Sequence, residues 1–194
     1  MNASRKGQLV VISGPSGVGK STILAAVLDR TDTRFSVSAT TRHPREGEVD
    51  GIDYYFVTTE EFKRAIETDK VLEWAEYGGH LYGTMRDEVV PILDQGVNVI
   101  LDIENEGAKQ VRAAYPDALL VFISPPSLDE LARRLHGRGD TSPGDVQRRL
   151  SVAASQIEEA PHVYDAIVEN DQLDETIARV LDILNGQDRT ASNL

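Results

Sequence analysis

Gly14-Pro15-Ser16-Gly17-Val18-Gly19-Lys20-Ser21 fits the pattern G-x-x-x-x-G-K-[ST], in which every fixed position has a physical task. Its glycines let the backbone turn tightly, so that several N–H groups face one concave anion site. A helix beginning near Lys20 adds its positive end to the same place. Lys20 is then positioned for the β- and γ-phosphates of a nucleoside triphosphate, and the Ser21 hydroxyl for magnesium. The flanks supply the required context. Gln8–Ser13 is a short apolar run that reads as a buried strand, and Ser21–Asp29 carries Ile23, Leu24, Val27 and Leu28 on one helical face.

Beyond this unit the texture changes twice. From Phe35 to Tyr82 short strand-like pieces (Phe35–Val37, Tyr54–Val57, Leu72–Tyr77) are separated by Gly and Pro, and read as an insertion with its own small sheet. One helix interrupts them: Thr58 with Glu61 three residues on forms a capping box before Phe62–Ile66. After Thr84, strands and helices alternate. The expected helices are Arg86–Gln95 (kinked or delayed by Pro91), Asn105–Tyr115, Ser127–Leu135, about Pro143–Glu159 and Leu173–Leu184; the strands are Val97–Ile103, Ala118–Ile123 and Ala166–Val168. Such alternation predicts right-handed crossovers and a mostly parallel sheet flanked by helices. Residues 187–194 are expected to form a frayed tail.

Composition narrows the classes. The chain has 194 residues, one domain by length, with 40% hydrophobic residues and a net charge of −12. That charge argues against a general nucleic-acid binder. The absence of cysteine excludes a disulfide scaffold, a thiolate metal site and a Cys nucleophile. No apolar run approaches the roughly 20 residues of a membrane span, and the run after Arg5 and Lys6 stops at Ser13, too short for a signal core, so the expected location is cytoplasmic. Local basic islands must draw any anionic ligand. Arg34, Arg42 and Arg45 fall in 12 residues without an acid, and Arg133–Arg149 sets five arginines against Asp140 and Asp145. The four histidines have no metal-site spacing.

Several further segments carry a resemblance: Phe35–Arg42 followed by Pro44-Arg45-x-Gly47-Glu48-x-x-Gly51-x-Asp53-Tyr54, then Glu73-Trp74, Tyr82-Gly83-Thr84, Leu101-Asp102-Ile103, Gly137-Arg138-Gly139 and Asn170-Asp171. In order and spacing the chain resembles the guanylate kinases from about Val10 to Leu184. The resemblance implies a P-loop NTPase-type core (about 8–35, 87–135 and 151–185), a GMP-binding region (about 36–86) and a helical lid (about 136–150) in a single domain. It implies phosphorylation of GMP, and of dGMP, by ATP with magnesium, with no nucleic-acid or membrane partner; it leaves the oligomeric state open.

By the same resemblance, Arg42 and Arg45 with the Tyr54 and Tyr82 hydroxyls hold the GMP phosphate. Glu73, Ser38 and Thr84 read guanine, whose N1–H and N2 amino group offer two donors to a carboxylate beside the O6 acceptor. Glu104 is carried over to the base as well. Here the chain departs from the family, with Glu104 and Glu106 where Asp and commonly Gln are expected. Asp102 reads either as a magnesium-orienting acid with Ser21 or as a helix N-cap. Asn170 reads either as a neighbour of the ATP adenine or as a cap. Arg134, Arg138 and Arg149 are expected over the phosphates when the lid closes, forming with Lys20 and Arg42 the catalytic set. Kinases of ribose bisphosphates share the fold, and guanylate-kinase-like domains also serve as inactive scaffolds. The base-reading set argues against the first, and the presence of Lys20, Ser21, Arg138 and Arg149 against the second.

Overall fold

The computed structural model describes residues 6–136 and 143–186. Five strands, β1 (Leu9–Ser13), β2 (Arg34–Phe35), β7 (Val99–Asp102), β8 (Leu119–Ser124) and β9 (Ala166–Glu169), form one sheet in the order β2-β7-β1-β8-β9. The pairs β2–β7 and β8–β9 are parallel, as the strand–helix alternation predicts. A second sheet, ordered β4-β3-β6-β5, contains β3 (Ala39–Thr40), β4 (Tyr55–Phe56), β5 (Val71–Tyr77) and β6 (His80–Met85). The helices are α1 (Lys20–Arg30), α2 (Thr59–Glu67), α3 (Arg86–Asp94), α4 (Asn105–Ala114), α5 (Leu128–His136), α6 (Pro143–Val163) and α7 (Leu173–Leu184).

The chain divides into two compact units. Among the described residues one comprises 6–10 and 32–118, the other 11–31, 119–136 and 143–186. In the first, the sheet β4-β3-β6-β5 buries Ala39, Val71 and Leu81 against Phe62 of α2. The capping box of α2 is formed: Glu61 N–H donates to Thr58 Oγ1 at 3.2 Å, and Thr58 N–H to Glu61 Oε2 at 2.8 Å. A two-residue Gly78-Gly79 turn, both φ positive, joins β5 to β6. In the second unit, α1 and α7 pack together, and Leu131 and Leu135 of α5 share a buried cluster with Val146 and Ala153 of α6.

The structure corrects several expectations. Phe35 belongs with Arg34 to the core sheet, paired in register with Val99 and Ile100, and not to the insertion's sheet. The strands β3 and β6 have no counterpart among the expected ones; β3 is two residues long, too short for any periodicity, and β6 carries Gly83 mid-strand. The helix α3 runs unbroken through Pro91. Pro91 and Asp87 are both exposed, so the carbonyl deprived of its donor can be hydrated. The helix α6 extends a turn past the expected Glu159, through an exposed Pro161 near its end. The expected tail, residues 187–194, and residues 137–142 of the expected lid lie outside the described residues.

Candidate active site

The strand β1 is buried along its whole length and delivers the chain into the loop Gly14–Gly19, which belongs to the second unit. A Cβ on Gly14 would lie 2.3 Å from the Ile123 carbonyl oxygen, so only glycine lets the loop pass this close to β8. Gly19 caps α1 from the left-handed region, φ 104°, and has no side chain to occupy the first-turn amides. The Lys20 ammonium folds back over the loop and donates to the Gly14 carbonyl at 3.0 Å. Ser16 and Ser21 are exposed beside it, and Pro15 is buried.

Two side chains hold the other flank of the loop. Asn170, buried at the end of β9, donates through Nδ2 to the Val18 carbonyl at 2.7 Å, while its Oδ1 accepts from Thr176 Oγ1 at 3.1 Å. Arg134 of α5 donates to Glu130 at 2.9 Å, to the Asn170 carbonyl at 3.0 Å and to the Val18 carbonyl at 3.4 Å. Together with Gly17, Gly19, Thr22, Asp171 and Leu173 these residues line an open pocket of about 460 Å³. Of the two readings of Asn170, the cap is removed: the N-cap of α7 is Gln172. Arg149 is partly buried on α6, and Arg138 lies outside the described residues.

The first unit gathers a different set. Arg42 forms a fork-to-fork pair with Glu48, both contacts 2.9 Å, and donates to the His43 carbonyl at 2.8 Å. Its guanidinium lies 5.4 Å from the centre of the Tyr54 ring and 5.7 Å from that of Phe56. Tyr54 and Tyr82 meet edge to face at 6.0 Å. Burial raises the Tyr54 hydroxyl above the usual phenol range. Glu48 is held below the carboxylate range by Arg42 and by the Arg45 backbone N–H, which donates to it at 2.7 Å. Arg42, Tyr54 and Tyr82 thus converge, whereas the Arg45 side chain is exposed. Glu48 organises this cluster and is absent from the expected site residues. Its signal is its place in the segment Pro44-Arg45-x-Gly47-Glu48 that carries the resemblance, six residues after Arg42.

A register shift between Val71 and Glu73 breaks the alternation of β5, so that Val71, Leu72 and Glu73 are buried in succession and Glu73 stands opposite Thr84. Thr84 Oγ1 donates to Glu73 Oε1 at 2.7 Å, and both residues are buried, 1% and 5% exposed. Burial lifts the Glu73 carboxyl above its ordinary value, against the opposing effect of Thr84. Ser38 is partly buried, its carbonyl accepting from the Tyr55 N–H at 2.9 Å. Asp102, exposed at the end of β7, is not a helix cap; the N-cap of α4 is Glu104, also exposed. Among the described residues no three or more His, Cys, Asp or Glu side chains gather as a metal cage, and no helix is long and apolar enough to cross a membrane.

A strand, a glycine loop and a helix with its lysine laid across the loop, on a parallel sheet flanked by helices, define a P-loop α/β protein built to hold nucleotide phosphates. Comparison with known proteins narrows the class. A sequence model of the family described as guanylate kinase matches residues 6–187. A guanylate kinase of Thermus thermophilus is 49% identical over 189 residues, 97% of this chain and 86% of that protein. That of Bacillus subtilis is 48% identical over 171 residues, 87% and 83% of the two chains. The crystal structure of guanylate kinase from Anaplasma phagocytophilum superposes with a TM-score of 0.74 at 34% identity, covering 95% of this chain and 87% of that one. The chain belongs to the guanylate kinase family.

Proposed function

We propose that the protein transfers the γ-phosphoryl group of ATP to GMP, giving ADP and GDP by direct in-line displacement, and that it accepts dGMP in the same way. The observation that supports the acceptor is the buried Glu73 carboxylate with Thr84 on one of its oxygens. A carboxylate accepts both the N1–H and the N2 amino donors of guanine; adenine offers an acceptor where guanine has N1–H and leaves the buried charge unpaired. Ser38 and Glu104 complete the base contacts in this reading. Arg42, Arg45, Tyr54 and Tyr82 take the phosphate, Arg42 arriving already oriented by Glu48.

Gly14–Ser21 cradle the ATP phosphates, and Asn170 stands beside the adenine. Lys20, Arg42, Arg134, Arg138 and Arg149 neutralise the charge that spreads over the moving group. The attacking oxygen belongs to an ionisable phosphate, so no general base is required. The Ser21 hydroxyl and the Asp102 carboxylate suit a magnesium ion, because an exposed hydroxyl and one acid leave its remaining positions to phosphates and water. That ion supplies further neutralisation of the β- and γ-phosphate oxygens when bound. Closure of residues 136–150 as a lid excludes the water that would otherwise hydrolyse ATP. A cytoplasmic setting belongs to the same proposal.

The test is ADP release with magnesium and ATP, offering GMP, AMP, dTMP and ribose 1,5-bisphosphate in parallel, with Lys20→Ala as control. Fast turnover with GMP alone, abolished in Lys20→Ala, supports the reading. Preference for another acceptor removes the base-reading role of Glu73, and no turnover with intact GMP binding favours a scaffold.

A further inference from the structure

The carboxylate of Glu73 is set from behind by the helix α4, which packs along β5. A Cβ built on Gly107 would lie 2.6 Å from Glu73 Oε2 and 3.4 Å from its carboxyl carbon. The slot that Oε2 fills therefore exists because residue 107 has no side chain. One turn later, Gln110 grips the strand beside it. The Trp74 N–H donates to Gln110 Oε1 at 3.0 Å, and Gln110 Nε2 donates to the Trp74 carbonyl at 2.9 Å. A side-chain amide thus stands in for a neighbouring strand on the open edge of β5, at the residue next to Glu73. Thr84 fixes Oε1 from the opposite strand.

We infer that Gly107 and Gln110 are positioning residues for guanine recognition: the first leaves the space that fixes the angle of the Glu73 carboxylate, and the second locks the backbone that carries it. The inference rests on the reading of Glu73 as the base acceptor. A methyl group at 107 meets the free end of a side chain with three torsions, not a backbone atom. The cheapest relief is for the carboxylate to swing, which leaves the fold intact and moves the acceptor atoms. Bidentate acceptance tolerates little such movement, because both guanine donors must meet their oxygens at once.

The experiment compares kcat/KM for GMP with that for inosine monophosphate, whose base lacks the 2-amino group, in wild type, Gly107→Ala, Gln110→Ala and Glu73→Gln. Thermal unfolding and KM for ATP are measured alongside. The expected result is a loss of the GMP-over-IMP preference of roughly tenfold in Gly107→Ala and several-fold in Gln110→Ala, with unfolding temperature and KM for ATP near wild type. A purely structural role would lower the unfolding temperature and leave the preference alone. If Glu73→Gln loses the preference and both helix variants keep it, the inference is overturned while the Glu73 reading stands. If Glu73→Gln also keeps it, the base reading itself fails. Either helix variant retaining the wild-type preference removes that residue from the role. Should Gly107→Ala not fold, Gln110→Ala decides.

Discussion

Glu73 and Asn170 are the two buried polar side chains on which the acceptor and donor readings turn, and each makes a prediction of its own. Burial raises the Glu73 carboxyl, so the folded protein favours its protonated form. Only the ionised form accepts both guanine donors, so affinity for GMP rises as pH climbs through the raised value. Stability of the free protein moves the other way: it falls as pH rises from the ordinary glutamate range through that value, since burial penalises only the charged state. KM for GMP against pH in wild type and Glu73→Gln checks the first; the nucleotide phosphate titrates near pH ~6 in both proteins and cancels in the comparison. Unfolding midpoints against pH check the second, and Glu73→Gln flattens both slopes. For the donor, Asn170→Ala removes the shorter of two hydrogen bonds to the buried Val18 carbonyl, leaving the 3.4 Å contact from Arg134, and takes one acceptor from Thr176. The expected cost is about 1–3 kcal/mol, read as a rise in KM for ATP with KM for GMP unchanged.

Among the elements, α2 tests how much of the second sheet depends on one helix. Phe62 is fully buried against Ala39, Val71 and Leu81, so Phe62→Ala costs about 3–5 kcal/mol of stability, while Thr58→Ala, which loses the cap, costs about 1 kcal/mol. Urea unfolding separates the two. The same helix shows which features can be read from sequence. Its capping box is a local pattern, visible in Thr58 and Glu61; the glycine loop is another, and both formed as expected. The two-residue strands β2 and β3 have no periodicity to read, and their identity comes from partners far along the chain, Val99–Ile100 and Tyr82–Gly83. Site residues divide in the same way. Arg42 and Arg45 look alike in sequence, yet the structure engages one guanidinium with Glu48 and exposes the other. Gln110 grips a strand 36 residues away, a relation no local pattern encodes. Glu73 is legible only through resemblance, because a single acid beside Trp74 carries no spacing of its own.

For the whole molecule, the net charge of −12 repels nucleotides in general, so in the proposed reading binding depends on local cations. The residues proposed for the acceptor, from Ser38 to Glu104, lie in one compact unit; the glycine loop, Arg134 and Asn170, proposed for the donor, lie in the other. Amide hydrogen exchange reads this division directly. GMP alone is expected to slow exchange between residues 38 and 84, and ATP alone between 14 and 22 and around Asn170. Protection of the glycine loop by GMP alone would contradict the assignment of the two sites. Whether one reaction joins both nucleotides is decided by following magnesium, ATP, GMP and the protein by phosphorus NMR. GDP and ADP are expected to appear together in equal amounts as GMP and ATP disappear, with no inorganic phosphate. ADP accumulating with inorganic phosphate while the GMP signal stays constant would contradict it.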